Sequence, residues 1–128
     1  MKLTDKGVVK HEWGYELLWA PADTYSGKIL VFEQIHAKTP VQMHKTKNKT
    51  LFVNSGKFKI RWINTKDAEV FETEIPEGHT FEIKAMVPHQ IINLSQSGSI
   101  TEVGDKDDPA DLYTIVKPDN VGQHAPTT

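Results

Sequence analysis

The chain has 128 residues, a formal net charge of −2, 38% hydrophobic and 25% charged residues, and no cysteine. That length and balance exclude wholesale disorder and leave room for one buried core in one domain. The missing thiols exclude disulfides, thiolate nucleophiles and cysteine-based zinc sites, and no run approaches the roughly eighteen apolar residues of a membrane span. The opening MKLTDKGVVKHEWGYELLWA lacks the unbroken apolar core of a signal peptide, so a soluble, cytoplasmic protein is the expectation.

Taken in order, the chain reads as strands and turns. Residues 28–35, KILVFEQI, are rich in β-branched and apolar side chains. Gln42 and His44 stand two apart, the spacing that aims both side chains at one face of a strand. In 57–63, KFKIRWI, Phe58, Ile60 and Trp62 alternate with Lys57, Lys59 and Arg61. Residues 69–75 alternate Phe71, Thr73 and Ile75 with acids, and 80–83, 89–94, 100–103 and 112–116 supply further short strands. Turn chemistry falls at 54–56, 64–67, 76–78 and 95–98. Strands at such short spacing predict an all-β sandwich or barrel, with no convincing helical stripe. The domain is expected to span 1–128, with the barrel at about 10–117 and a loosely held tail at 118–128.

Charge is unevenly placed. Residues 34–66 carry eight bases and no acid, whereas 67–128 carry twelve acids against Lys84, Lys106 and Lys117. One consequence would be a basic surface for a small anionic metabolite; the other is that basic strands pair with acidic neighbours such as Glu69–Glu74 across a sheet. Interleaved apolar residues and an acidic total argue against nucleic acid.

His89 and Asn93 also share a strand face, and strands facing each other across a barrel would bring Gln42, His44 and His89 together. Neutral imidazole is the commonest transition-metal ligand and a glutamine oxygen a weaker one. Five residues after His44, where a carboxylate would complete such a site, stands Lys49.

VQMHKTKNKTLFVNSGKFKI followed by IPEGHTFEIKAMVPHQIIN resembles the two successive motifs of a cupin, the double-stranded β-helix jelly-roll barrel. Within that superfamily it is most similar to the mannose-6-phosphate isomerase type. The likeness runs from KHEWGYELLW to ITEVGDKDDPADLYTIVKPD, nearly the whole chain. It implies metal ligands at Gln42, His44 and His89, with a divalent transition metal such as zinc, manganese, iron or nickel. Asn93 matches the asparagine after the second-motif histidine, Gly56 and Gly78 match motif glycines, and Glu102 falls where this group lines its pocket mouth. Lys49 replaces the glutamate ligand, Lys84 and Met86 replace a proline and a glycine, and Gln123 follows Gly122 where an arginine is usual.

Two functions follow from the likeness. One is a sugar-phosphate aldose–ketose isomerase with an altered metal site, in which Lys49 and Glu102 are the catalytic candidates and Lys45, Lys47 and Arg61 grip the phosphate. The other is a non-catalytic cupin that binds an anionic carbohydrate or other small metabolite. Trp62, on the inward face of its strand, and Asn93 complete the ligand-binding set. An inward Lys49 would oppose a divalent ion, unless it snorkels away or loses its proton; it could also occupy the cation's place itself, and a three-ligand site from Gln42, His44 and His89 with water in the open positions is a further alternative. A homodimer through sheet edges is expected.

Overall fold

The computed structural model describes residues 7–116, in which eleven strands and one 3-10 turn form two antiparallel sheets. The strands are β1 Gly7–His11, β2 Gly14–Pro21, β3 Tyr25–Phe32, β4 Val41–His44, β5 Lys49–Ser55 and β6 Phe58–Asn64. They continue as β7 Glu69–Ile75, β8 Thr80–Ile83, β9 His89–Asn93, β10 Gly98–Asp105 and, after the turn Pro109–Asp111, β11 Leu112–Val116. One sheet has the order β1-β2-β3-β10-β5-β8 and the other β11-β4-β9-β6-β7, so chain neighbours repeatedly lie in opposite sheets, as in a jelly roll. The expected all-β barrel is what the structure shows. Residues 118–128, including Gly122 and Gln123, lie outside the described part.

Alternation decides which side chains meet between the sheets. Leu30 and Phe32 of β3, Leu51 and Val53 of β5, Phe58 and Ile60 of β6, Ile91 of β9 and Ile100 of β10 form one buried cluster. Trp13 stacks on Phe32 with ring centroids 4.5 Å apart, and Phe32 meets Phe58 edge to face at 5.0 Å. Toward one end of the barrel the same inward faces turn polar. Ile100 is followed two residues on by Glu102, Leu30 is preceded by Lys28, Leu51 by Lys49 and Ile91 by His89. Register then aligns them: Glu102 lies opposite Lys28 on β3 and Leu51 on β5, and Lys49 lies opposite Gly104. The barrel therefore has an apolar body and one charged end.

Turns follow their chemistry. Gly56 and Gly78 have φ of 83° and 82°, the left-handed region their positions in the two motifs require. Met86, where the resemblance expects glycine, takes the same region at φ 70° and donates its N–H to the His44 carbonyl at 2.7 Å. In the β6–β7 hairpin Ala68 sits at φ 62° and donates to Asn64 O at 2.8 Å. An L side chain is strained there, so Ala68→Gly should raise stability by about 0.5–1 kcal/mol, read as a higher midpoint in a thermal melt.

The acidic and basic segments meet where the sheet pairs them. Lys59 and Arg61 of β6 lie opposite Glu74 and Glu72 of β7. Arg61 Nε stands 3.1 Å from Glu72 and Lys57 Nζ 2.8 Å from Glu74. For this strand, pairing across the sheet accounts for the bases.

Strand boundaries shift in explicable ways. β10 starts at Gly98, within a segment that reads as turn, because a Cβ there would come 2.8 Å from the Phe58 ring, so only glycine lets the strand cross that ring. β1 and β2 carry no clean alternation in sequence; Leu17, Leu18 and Trp19 run together across a register shift between Leu18 and Ala20.

Candidate functional site

A cavity of about 270 Å³ opens at the charged end, between the two sheets. Gln42 and His44 of β4, His89 of β9, Lys49 of β5 and Glu102 of β10 all line it. Gln42 lies directly opposite His89 in the β4–β9 pair, so the amide and the imidazole enter side by side. Sequence spacing had set the two histidines 45 positions apart; sheet register closes that distance.

Lys49 points inward. It is 8% exposed and its Nζ stands 3.3 Å from Glu102 Oε1. The other oxygen of Glu102 takes Lys47 Nζ at 3.2 Å, and Lys47 reaches Asp107 Oδ1 at 3.1 Å. Lys28 continues the string, 3.0 Å from Asp107 and 2.9 Å from Glu16, and Glu16 meets His11 Nε2 at 2.6 Å. Positive and negative groups thus alternate from Lys49 through Glu102, Lys47, Asp107 and Lys28 to Glu16 beside the cavity. Gly104 permits the approach: a Cβ there would stand 2.6 Å from Asn48 O and 3.0 Å from Lys49 Cβ.

This string sets the protonation states. Burial pushes the Glu102 carboxyl up, but Lys49, then Lys47 and Lys28, outweigh it and hold it at about 2. Burial draws the Lys49 ammonium down against the attraction of Glu102. His89 is held at about 3 by burial and then by Lys49, and His44 at about 4 by burial, Lys49 and Lys47. Both imidazoles are therefore neutral at ordinary pH. His89 Nδ1 lies 2.9 Å from the Val87 carbonyl, which only accepts, so Nδ1 carries the proton and Nε2 keeps its lone pair. His44 Nδ1 is buried without a hydrogen-bond partner, 3.8 Å from Asp111 Oδ2.

A second tier holds the lysines in place. Asp111 accepts the backbone N–H of Lys45, Thr46 and Lys47 at 3.0–3.1 Å, and Asp105 accepts that of Asn48 at 2.9 Å. These two carboxylates shape the loop between β4 and β5 that carries Lys47 inward and sets the start of β5. Lys28, Glu16, His11, Asp105, Asp107 and Asp111 escape a sequence reading centred on metal-ligand spacing. The signal for three of them, Asp105, Asp107 and Asp111, is the acidic run GDKDDPAD facing the basic run HKTKNK.

Several expected ligand contacts fall elsewhere. Lys45 is exposed, its Nζ 4.8 Å from the Tyr113 ring centroid. Arg61 faces Glu72 on the outer side of β6. Trp62 does face inward but stacks on Phe71 at 4.7 Å and lines a separate niche of about 150 Å³ with Phe81, Ile83 and Val87. Asn93 is fully buried and fully used: its amide donates to Gln34 O and Ser95 O at 2.9 Å and accepts from Ser95. It fastens a loop. Lys47 is buried, but its charge is spent on Glu102 and Asp107.

The donor set does not fit a divalent metal ion. Among the described residues no group of three or more histidine, cysteine, aspartate or glutamate side chains is placed to hold one. Two neutral imidazoles and an amide remain, beside an ammonium where the carboxylate ligand would stand. A divalent ion 4 Å from that ammonium is repelled by about 8 kcal/mol at an effective dielectric near 20. Glu102, the nearby carboxylate, is already bound by two lysines.

No protein-family profile matches the chain, and no curated protein does. Solved structures do. The chain is similar to oxalate decarboxylase from Bacillus subtilis, with TM-score 0.78 and 14% identity over 87% of this chain and 30% of that one. It is similar to the capsular polysaccharide assembling protein CapF from Staphylococcus aureus, with TM-score 0.75 and 21% identity over 89% of this chain and 33% of that one. A formate complex of Lactobacillus farciminis oxalate decarboxylase gives TM-score 0.75 and 16% identity over 87% of this chain and 34% of that one. The chain spans about a third of the length of each. At such identity the likeness is one of fold, and with the two-sheet topology it is specific: this chain has the cupin fold, a double-stranded β-helix jelly roll.

Proposed function

We propose that this cupin binds a small, oxygen-rich metabolite bearing a carboxylate or carbonyl, such as a sugar acid, and does so without a metal. The observation that carries the reading is the inward Lys49 ammonium, paired with Glu102 beside two neutral imidazoles. Only one of its three donors is needed by Glu102. The others, with the Gln42 amide and the two histidines, form a patch suited to one oxygen-bearing group. At about 270 Å³ the cavity lies at the small end of ligand sites, which suits a metabolite of a few carbons rather than a nucleotide.

A sugar-phosphate isomerase has less to stand on. The phosphate grips expected at Lys45, Lys47 and Arg61 are exposed, spent or on the outer face. General acid–base catalysis works best with a group near the operating pH, whereas Glu102, His89 and His44 titrate at about 2, 3 and 4.

Thermal stabilisation tests this. Gluconate or a similar sugar acid, at about a hundred times its dissociation constant, should add about 2.7 kcal/mol to wild-type stability with or without chelator. Lys49→Met should abolish that gain. Stabilisation by sugar phosphates alone, or a gain that chelator removes, contradicts the reading.

A further inference from the structure

Among the described residues, three lysines stand in or beside the cavity, and their carboxylate partners are unequal. Lys28 has two, Glu16 at 2.9 Å and Asp107 at 3.0 Å. Lys47 also has two, Asp107 at 3.1 Å and Glu102 at 3.2 Å. Lys49 has one, Glu102 at 3.3 Å, and shares it with Lys47. Lys49 is therefore the amine held least firmly, and it lines the cavity.

The surroundings widen the difference. Burial draws the Lys28 ammonium down, but Glu102 and Glu16 outweigh it and leave it above the ordinary 10.5. At Lys49 burial prevails over Glu102, with Lys47 opposing a further charge nearby, and the ammonium lies below that value. A desolvated lysine beside another cation is an activated nucleophile toward carbonyl carbon.

We propose that Lys49 Nζ captures a small aldehyde or ketone metabolite covalently, as a reversible imine on the cavity wall. The inference rests on the reading that this cavity takes a carbonyl-bearing ligand. The step balances without a co-reactant. The Nζ lone pair forms the N–C bond, and Nζ goes from three protons to one. Glu102 Oε1, 3.3 Å away, is placed to relay the two released protons to the carbonyl oxygen. That oxygen departs as water with the electron pair of the broken C–O bond.

The product is a protonated imine with the same single positive charge. Glu102 thus keeps its partner, and the buried string holds the same charges before and after. A carboxylate held at about 2 is a weak base, so the relay is slow, which fits capture of a ligand and not rapid turnover. Trp13, Leu30 and Ile91 line the same cavity and limit the water that would hydrolyse the imine.

Reductive trapping of the full chain with glyoxylate and cyanoborohydride at pH 7 is the test, read by peptide mass mapping. Lys49 should be alkylated at least about tenfold faster than the exposed Lys57 and Lys66, the ratio for an amine one unit less basic, and its labelling should saturate with glyoxylate. Lys49→Arg, which keeps a cation beside Glu102, should lose the adduct with no other cavity lysine taking it up. The wild-type map decides even where that variant is unstable. Labelling spread evenly over exposed lysines, or centred on Lys47, overturns the proposal. Gluconate has a carboxylate and no aldehyde or ketone, so it separates the two readings. Stabilisation by gluconate without a Lys49 adduct overturns the imine and leaves metal-free binding standing.

Discussion

Glu102→Gln should lower the unfolding free energy by about 3–5 kcal/mol, the cost of leaving buried charge uncompensated. Glutamine preserves the size of the side chain but removes the charge and one of the two acceptor oxygens, so its amide NH2 would face one of the two lysines. Lys47 and Lys49 would then face each other with Asp107 as the nearest remaining anion. Urea unfolding at neutral pH measures the loss. A loss below about 1 kcal/mol, the range of exposed ion pairs, would mean that water screens the string and that the site is not the dry, charge-balanced cluster described.

Stability should also fall steeply on mild acidification. The folded chain keeps His44 and His89 neutral down to about 4 and about 3, whereas their ordinary value is 6.5. Folded values below unfolded ones mean that stability is fully present above about pH 6.5 and is lost as pH drops toward 4 and 3. Two protons taken up by the unfolded chain give a slope of about 2.7 kcal/mol per pH unit. Glu102, also depressed, adds its loss only below its ordinary value of 4.5. His89→Asn, whose side-chain N–H can still reach the Val87 carbonyl, should halve the slope between about pH 6 and pH 5. Unfolding free energies that stay flat from pH 7 to 5 would show that the imidazoles are solvated and not part of a buried site.

The fold was legible because it depends on alternation and turn chemistry, which are local. The β6 segment, Phe58, Ile60 and Trp62 against Lys57, Lys59 and Arg61, fixes its own two faces. The meeting of Gln42 with His89 was legible only through the order of motifs, since register between distant strands has no local signature. Charge partners were the least legible. Nothing near Lys47 in sequence says that it turns inward while Lys45, two residues earlier, lies over Tyr113; the loop is set by Asp105 and Asp111, more than fifty residues on. Asn93 misleads for a related reason. It shares a strand face with His89, yet one end of that face lines the cavity and the other clamps a loop.

The central question is whether an ammonium has taken the place of a metal ion. Elemental analysis of wild-type protein purified without chelator, beside Lys49→Glu, answers it most directly. Wild type should carry well under 0.1 transition-metal ion per chain, and Lys49→Glu, with a carboxylate beside Gln42, His44 and His89, should bind about one. One ion per chain in wild type, lost on His44→Ala, would contradict the account.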